Sequence, residues 1–465
     1  MSAKQRRRRR LLPLLAVLAL VGAYLYADAQ DLVPGVLTTD EPWPEAEPFP
    51  EPQLPPAPDL SAFAAPPDAQ APMPTEPALA ELTATLLNDD RVGPDPSVLV
   101  TDVATGEDLL DEGGSQGRTP ASVLKVLTAV AALAQFGEEH TLTTQVRAGA
   151  VGQVVLVGGG DIALAAGAGD PEEVIGHAGL GDLADQVVDS LDGEDAVSVA
   201  VDDSLFTGPL LAPNWDDVDV AGGWAMPIMP IAVDLGRQEG TNARSEDPAI
   251  DAAEEFADQL RDRGVQVGEV TRGQAVTDVV LGEVSSAPMR DLVTHLMHYS
   301  DNPLSETLGR MVAHSTGAEP SFEGAGAAVL EVLADLGIDV EGVDLVETSG
   351  LSSLSDVTAR VLTDTIRLAA DGSHPELMAL ARSLPVGALE GTLSDRMGGT
   401  EAAGLVAAKT GTLPTVVTLS GLTTTSDGRL LAFTVMSSDF AQGGGYLARL
   451  AIDDWAARLA ACGCD

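Results

Sequence analysis

The sequence predicts an α+β fold in which an antiparallel sheet is flanked by helices and interrupted by small β-rich insertions. Two observations come from the chain ends: helix and strand patterns begin near residue 78, and strand patterns followed by a helix recur before residue 460. A third observation is the stretch from about residue 141 to 242, where short Val-rich runs are broken by Gly and Pro. One sheet that pairs strands from both ends of the chain accounts for this pattern.

The first 27 residues have the pattern of an export signal or a membrane anchor. Lys4 and Arg6 to Arg10 form a basic cluster, and a largely apolar run extends from Leu11 to Ala27. Ala27-Asp28-Ala29 resembles a cleavage site, whereas the run is close to the lower limit for a membrane span, so both interpretations stay open. In either case we expect the basic cluster inside the cell and the remaining chain outside the cytoplasm.

Residues 28–77 are predicted to form an extended spacer. Pro, Ala and acidic residues dominate this stretch, as in Glu41-Pro42-Trp43-Pro44-Glu45, and no apolar periodicity is present. Such a composition favours a stiff, extended chain that buries no core. The folded part of the protein is therefore expected to begin near Ala78.

The chain is strongly acidic, with 25 Lys and Arg residues against 71 Asp and Glu residues and a formal net charge of −46. A surface this negative repels nucleic acid and anionic lipid, so neither is an expected partner. The two cysteines, Cys462 and Cys464, close the chain and form neither a disulfide framework nor a zinc site. No metal ion or cofactor is predicted.

The folded sequence begins with a helical pattern over Ala78 to Leu87, and two strands are predicted over Ser97 to Asp102 and Asp108 to Leu110. The next helix is expected to begin at Thr119-Pro120, because Thr is a favourable N-cap and Pro suits the first helical position. Ser122 would then lie in the first helical turn.

Ser122 and Lys125 are the first candidate catalytic residues. Side chains three positions apart share one face of a helix, with Cβ atoms roughly 5 to 6 Å apart, so the amine can reach the hydroxyl. A serine hydroxyl needs a base because it is almost fully protonated at neutral pH. Burial and a nearby cation, for which Lys409 is the candidate, would lower the pKa of Lys125 enough for this role. An ordinary amphipathic helix with a surface Lys has the same spacing, so further motifs must decide.

Residues 143–242 are predicted to be one or two inserted β-rich modules. Val151 to Val157 and Val197 to Val201 have the composition of short strands. The glycines of Gly158-Gly159-Gly160-Asp161 follow a strand, but no Gly-Lys-Ser/Thr comes after them and no dinucleotide-binding spacing fits. Phosphate binding is therefore not expected.

Two helices are predicted next, over Ala252 to Gly264 and Met289 to Tyr299, and the second leads into Ser300-Asp301-Asn302-Pro303. Because Pro303 disfavours helix at the preceding residue, these polar residues are expected on a turn. His295 and His298 lie one helical turn apart, but no third ligand accompanies them. A metal site is therefore not predicted.

The chain ends in strands and a helix. Further segments are predicted as helices over Ala325 to Leu336, Thr358 to Ala370 and Tyr446 to Ala460, and as strands over Val406 to Thr412, Val416 to Leu422 and Leu430 to Met436. We expect residues 78–142 and 243–465 to form one discontinuous domain, because its sheet would join strands from both ends.

Three short motifs stand in order along the chain: Ser122-x-x-Lys125, Ser300-Asp301-Asn302 and Lys409-Thr410-Gly411. Penicillin-binding proteins and serine β-lactamases carry this triplet. The long stretch before Ser300 and the segment Ser349-Gly350-Leu351-Ser352 resemble the low-molecular-mass class C penicillin-binding proteins, the D-alanyl-D-alanine carboxypeptidase/endopeptidase family S13. The resemblance implies a penicillin-recognising serine transpeptidase or β-lactamase-like domain with inserted domains.

The resemblance also implies a role for each motif residue. Ser122 would be the nucleophile, Lys125 its base, and Ser300 the relay that passes the proton to the leaving amine. Asn302 would hydrogen-bond the substrate or Lys125. The terminal D-alanine would be bound through its carboxylate by the strand motif: Lys409, Thr410, Gly411 and Thr412.

The backbone N–H groups of Ser122 and Thr412 would form the oxyanion hole. The side chain that Gly411 lacks would otherwise keep a ligand backbone away from the strand. The implied function is a serine D-alanyl-D-alanine carboxypeptidase or endopeptidase that cuts peptidoglycan stem peptides through an acyl-enzyme and is acylated by penicillin.

Two alternatives and one departure accompany this resemblance. A class A β-lactamase would need an Asn shortly after Ser-Asp-Asn to assist deacylation, and no Asn follows Asn302. A catalytically weak, envelope-tethered protein that binds wall peptides is the other alternative, and the complete motif set argues against it. The departure is Ser353, which stands where the family places a basic residue, so the usual recognition of a diaminopimelate side chain is not predicted.

Overall fold

The computed structural model describes residues 3–30, 32–33, 68–191, 196–238 and 240–463. The chain divides into two compact units, residues 1–65 and 66–465. The first unit contains helix α1 (Ala3–Ala29), which covers the predicted signal or anchor. No helix within the described ranges combines the length and the apolar character needed to cross a membrane. The predicted spacer falls mostly on residues 34–67, which lie outside the described residues.

The second unit contains the remaining helices and all the strands described below. Its helices are α2 (Glu76–Leu87), α3 (Lys125–Phe136), α4 (Leu180–Ser190), α5 (Asp217–Ala221), α6 (Pro248–Asp262), α7 (Met289–Tyr299), α8 (Asn302–Thr316), α9 (Phe322–Asp335), α10 (Ala359–Ala370), α11 (Met378–Ser383) and α12 (Gly445–Ala460). Its strands are β1 (Ser97–Asp102), β2 (Asp108–Glu112), β3 (Gly117–Arg118), β4 (Thr143–Ala148), β5 (Gln153–Val157), β6 (Asp161–Leu164), β7 (Ala196–Asp202), β8 (Ile231–Val233), β9 (Gln266–Arg272), β10 (Val280–Ser285), β11 (Val357–Thr358), β12 (Val406–Leu413), β13 (Val416–Thr424) and β14 (Leu430–Ser438).

The main sheet joins both ends of the folded unit, as the sequence predicts. Its strand order is β12-β13-β14-β1-β2, and every neighbouring pair is antiparallel. Val100 of β1 pairs with Phe433 of β14, and Lys409 of the edge strand β12 pairs with Ser420 of β13. The predicted α+β class with an antiparallel sheet and flanking helices is confirmed.

The two faces of this sheet are covered by different helices because side chains alternate along a strand. Val98 and Val100 of β1 lie in a core shared with α2 and α12, where Trp455 packs edge-on against Phe433. Leu99, on the opposite face, lies in the larger core formed with α3, α8 and α10. The sheet is therefore buried on both faces, and α3 reaches the cleft from within the larger core.

A second sheet, in the order β10-β4-β5-β7-β9, forms the inserted region. β5 pairs with β7 and β7 pairs with β9 in parallel, and helices α4 and α6 lie in these two connections and share the sheet's core. Parallel neighbours need a crossover, which explains helices in a region predicted as β-rich. The predicted limit at residue 242 cuts through this sheet, because β9 and β10 belong to it.

The folded unit begins earlier than the expected position near Ala78. The guanidinium of Arg429 donates hydrogen bonds to the backbone carbonyls of Ala69 and Ala71 and to both carboxylate oxygens of Asp102, one of them at 2.7 Å. The side chains of Arg429 and Asp102 are 5% and 0% exposed. The ion pair fixes Arg429 beside the sheet, and its two bonds to backbone carbonyls attach the start of the unit there.

Replacing Arg429 by Ala should destabilise the folded unit by about 3 to 5 kcal/mol, because Asp102 would be left as an unpaired buried charge. Arg91→Ala is the matched control: Arg91 pairs with Asp89 at 2.6 Å, but its side chain is 37% exposed. That variant should lose about 1 kcal/mol or less. Chemical denaturation of both full-length variants measures the difference, and similar small losses would contradict the assignment.

Candidate active site

Ser122 lies on a strained turn rather than in the first turn of a capped α-helix. Residues Ala121–Leu124 form a 3-10 turn, α3 begins only at Lys125, and no side chain caps this turn. The predicted N-cap is wrong: the hydroxyl of Thr119 donates instead to the carbonyl of Ser353 at 2.9 Å. Ala121 has a φ of 50°, a left-handed conformation that is costly for a residue with a side chain. The turn places the Ser122 hydroxyl at the N-terminal end of α3.

The Lys125 amine is held by three oxygen atoms. Its Nζ lies 3.1 Å from Ser122 Oγ, 2.6 Å from Asn302 Oδ1 and 2.5 Å from the carbonyl of Ser349. The last two oxygens are acceptors only, so they can take both N–H groups of a neutral amine. The lone pair then points at the hydroxyl of Ser122, which is the geometry that proton removal requires.

Burial favours the neutral form of this amine. Lys125 is fully buried, and this burial lowers its pKa to about 8. Three carboxylates oppose the shift: Glu347, Glu306 and Asp301. Burial, and not the nearby cation Lys409, is thus the main cause; the pKa of Lys409 is itself lowered by burial and by the charge of Lys125.

Ser300 and Asn302 lie at the junction of two helices. Ser300 ends α7 in a left-handed conformation, with a φ of 56°, and Asp301 caps α8 by accepting from the N–H of Leu304 at 3.0 Å. The expectation that Asn302 lies on a turn is wrong, because Asn302 is the first residue of α8. Pro303 occupies a first-turn position whose N–H needs no partner, so it starts the helix.

The side-chain amide of Asn302 connects three parts of the site. Its oxygen accepts from Lys125 Nζ, and its nitrogen donates to the carbonyl of Trp224 at 2.9 Å. Asp301 is fixed by the guanidinium of Arg244, which lies 2.7 Å from its carboxylate and also donates to the carbonyls of Gly223 and Leu235. Arg244 thereby ties the loop around Trp224 to the start of α8.

Lys409 is fully buried on the edge strand β12. Its Nζ donates to Ser300 Oγ and to the carbonyl of Thr410, both at 2.9 Å. The first contact links β12 to the junction of α7 and α8. The three sequence motifs therefore meet in one place, as two hydrogen-bonded groups: Lys125 with Ser122 and Asn302, and Lys409 with Ser300.

Thr410 and Thr412 line the cleft, whereas Gly411 serves the packing beneath it. A Cβ atom on Gly411 would lie 2.2 Å from Thr418 Oγ1, which donates to the carbonyl of Pro120 at 2.8 Å. The space is thus filled by the protein itself, and the expected approach of a ligand backbone at Gly411 is not the reason for the glycine. Its absence of a side chain lets β12 pack against the turn that carries Ser122.

An open cleft of about 660 Å³ lies above these groups. Ser122, Ser300, Asn302, Thr410 and Thr412 line it, and both lysines are buried beneath it. Its outer walls carry the remaining lining residues, which include Asp219, Trp224, Leu351, Leu413, Tyr446 and Arg449. No group of His, Cys, Asp or Glu in the described part of the chain could hold a metal ion.

Several contacts of the site carry no local sequence signal. Ser349 contributes its backbone carbonyl, which any residue type could supply, and Trp224 does the same. Gly350 lies in the Ser-Gly-Leu-Ser segment that resembles the family, and the structure gives the reason for a glycine there: its φ is +78°, and a Cβ would lie 1.9 Å from the carbonyl of Ala121. The segment around Gly350 therefore fixes the turn that precedes Ser122.

Gly350→Ala should slow acylation of the protein by benzylpenicillin about 100-fold, because the new methyl group displaces the turn that carries Ser122. Gly372→Ala is the matched control, since Gly372 has a φ of +79° and open space where its Cβ would be. It should show the same backbone strain without the loss of rate. Equal rates for the two variants, measured under identical conditions, would contradict the proposed contact.

Comparison with known proteins agrees with the geometry. The profile of the D-Ala-D-Ala carboxypeptidase 3 (S13) family matches residues 79–243 and 237–459. "Carboxypeptidase DacB" of Mycolicibacterium smegmatis is 38% identical over 432 residues, which cover 89% of this chain and 90% of that protein. "D-alanyl-D-alanine carboxypeptidase" of Actinomadura sp. is 31% identical, and the match covers 78% of this chain and 83% of that protein.

A solved structure supports the fold. The crystal structure of penicillin binding protein 4 (dacB) from Haemophilus influenzae superposes with a TM-score of 0.67 at 21% identity, over 82% of this chain and 98% of that chain. The family match, the relatives at more than 30% identity and the shared fold lead to one conclusion. The chain belongs to the D-Ala-D-Ala carboxypeptidase 3 (S13) family.

Proposed function

We propose that this protein is a serine D-alanyl-D-alanine carboxypeptidase or endopeptidase that acts on peptidoglycan stem peptides through an acyl-enzyme on Ser122. The observation that carries the proposal is the buried Lys125 amine, 3.1 Å from Ser122 Oγ, with its N–H groups directed to two carbonyl oxygens. A buried amine in this state is a base, because its lone pair has no other partner than the hydroxyl proton.

In the acylation step, Lys125 Nζ takes the proton of the Ser122 hydroxyl as Oγ bonds to the carbonyl carbon of the penultimate D-alanine. The backbone N–H groups of Ser122 and Thr412 stabilise the resulting oxyanion. When the amide bond breaks, the proton passes through the Ser300 hydroxyl to the leaving nitrogen. Water then attacks the ester, which releases the shortened peptide and restores the Ser122 hydroxyl.

Lys409, Thr410 and Thr412 bind the free carboxylate of the terminal D-alanine in this proposal. Burial lowers the pKa of Lys409 when the site is empty. An arriving carboxylate favours the charged ammonium, because an opposite charge nearby raises the pKa of an amine. The positive charge on Lys409 in turn disfavours a proton on Lys125. Substrate binding and activation of the base are therefore coupled through the two amines.

The site of action is outside the cytoplasm, where peptidoglycan lies. The basic cluster and apolar run at the N-terminus support export by this segment, either as a cleaved signal or as an anchor that also binds the membrane. The intact catalytic constellation argues against a protein that only binds wall peptides. The absence of any Asn after Asn302 argues against rapid β-lactam hydrolysis by a class A mechanism.

Incubation of the full-length protein with benzylpenicillin should give one covalent adduct on the peptide that contains Ser122. The Ser122→Ala variant should give none, and both proteins should show the same circular dichroism spectrum. The wild-type protein should also release D-alanine from stem pentapeptides or cut purified cross-linked wall fragments, and penicillin should block this release. Mass spectrometry identifies the adduct and the products. A wild-type protein that forms no adduct would falsify the proposed function.

The acylation rate should rise with pH through a midpoint near pH 8 and then level off, because only the neutral Lys125 amine removes the proton and its pKa is about 8. At pH 7 about a tenth of the molecules carry the neutral amine, so acylation should be about tenfold slower than on the plateau. Lys125→Arg should abolish acylation at every pH, since guanidinium stays charged. Stopped-flow measurements with a chromogenic β-lactam test this, and a flat profile would exclude Lys125 as the base.

A further inference from the structure

Two glutamates lie buried beneath Lys125, and the mechanism above uses neither. Glu306 belongs to α8, one turn after Asn302, and Glu347 precedes the segment that supplies the Ser349 carbonyl. Both residues are 0% exposed, and their carboxyl groups share a hydrogen bond. Two buried carboxylates in contact cannot both stay ionised without a large electrostatic cost. One proton between them removes most of this cost.

Glu347 has the surroundings of an ionised carboxylate. Its oxygens accept from the backbone N–H groups of Ser349 at 3.1 Å, Gly350 at 2.8 Å and Leu351 at 3.3 Å. The hydroxyl of Ser349 also donates to it. Both oxygens of Glu347 thus accept hydrogen bonds, and an ionised carboxylate offers enough lone pairs for all four donors.

Glu306 has the surroundings of the protonated partner. It accepts from Thr348, through the backbone N–H at 3.1 Å and the hydroxyl at 2.8 Å, and the hydroxyl of Ser349 also lies within hydrogen-bonding reach. Burial, first, and the neighbouring Glu347 raise its pKa well above the usual range of a glutamate. A proton on Glu306 can be donated to Glu347, which satisfies both side chains at once.

We propose that Glu306 and Glu347 share one proton, held on Glu306, and that the ionised Glu347 acts as a positioning residue for the catalytic base. Glu347 gathers the N–H groups of the next residues into a tight turn. This turn directs the Ser349 carbonyl to Lys125 Nζ at 2.5 Å and places Gly350 against the carbonyl of Ala121. The inference rests on the proposed function, since it explains how that base is held.

The single negative charge of the pair also sets the protonation of the base. The charged groups that face the two glutamates are Lys125, the buried Arg310 one turn along α8, and Asp301 and Lys409 on the far side of Lys125. The pair with one charge raises the pKa of Lys125 against burial, and a second charge would raise it further. The proton on Glu306 therefore keeps more of the amine neutral near pH 7.

The same isosteric substitution should have little effect at Glu306 and a large effect at Glu347. Glu306→Gln keeps a donor toward Glu347 and an acceptor toward Thr348 and removes no charge. It should acylate with benzylpenicillin within about twofold of the wild-type rate, with the acid limb of the pH profile unmoved. Glu347→Gln turns an amide donor toward backbone N–H donors, which leaves buried groups unsatisfied. Acylation on its plateau should fall about 100-fold as the Ser349 carbonyl shifts.

The pH profile separates positioning of the base from a general loss of packing. Removal of the negative charge in Glu347→Gln should move the acid limb to lower pH by about one unit. A packing defect alone would lower the plateau and leave the limb in place. The measurement is the acylation rate of the full-length variants from below to above the wild-type midpoint, with circular dichroism and thermal unfolding as controls for folding.

Two results would overturn the inference. An acid limb that moves to lower pH in Glu306→Gln would mean that Glu306 carries the negative charge. A wild-type rate and pH profile in Glu347→Gln would mean that Glu347 does not position the base. If Glu347→Gln fails to fold, the acid limb of the Glu306→Gln profile still decides the placement of the proton. Ser349→Ala, which removes one donor to Glu347, then replaces Glu347→Gln as the test of positioning, with a smaller expected loss of rate. Failure of the proposed function is a distinct outcome, because the wild-type protein would then form no adduct.

Discussion

The site depends on one constraint: an amine must be buried deeply enough to lose its charge and still have a partner for every N–H. Lys125 meets this condition because two acceptors come from different parts of the chain, the side chain of Asn302 on α8 and the carbonyl of Ser349. The lone pair of the amine can then face the hydroxyl of Ser122, 3.1 Å away. Loss of either acceptor would turn an N–H toward Ser122 or displace the amine, since a buried N–H without a partner is costly.

The fold satisfies this constraint by bringing together elements that are distant in sequence. The antiparallel sheet pairs β1 with β14, which places β12 and β13 beside the turn that carries Ser122. The edge position of β12 leaves one side of Lys409 and Thr410 free to meet α7 and the cleft. Backbone strain occurs at the points of closest approach: Ala121 and Ser300 both have a positive φ. Strain at these two residues persists because the surrounding contacts fix them, and both lie next to or within the reacting groups.

Features with a local physical cause could be predicted from the sequence, and features set by tertiary contacts could not. Short apolar runs bounded by turn residues predict β1, β13 and β14, and the order of the motifs predicts the three segments that meet at the candidate site. Pro303 was misread as a helix breaker because the same residue favours the first turn of a new helix. The strands β9 and β10 were missed because their side chains are largely exposed. Glu306 in α8 has no local signal, since a glutamate in a helix is usually a surface residue.

Charge balance explains why so many ionisable groups are buried around one hydroxyl. With one proton on the glutamate pair, the fixed buried charges around the site are the negative pair, the positive Arg310 beside it, the negative Asp301 and the positive Arg244 that holds Asp301 at 2.7 Å. The two amines then contribute between zero and two positive charges. A substrate carboxylate beside Lys409 favours the state in which Lys409 is charged and Lys125 is neutral, because that arrangement pairs each negative group with a positive one. In the proposed mechanism the empty site therefore keeps Lys125 partly protonated, and the carboxylate of the substrate completes the charge pattern that activates this base.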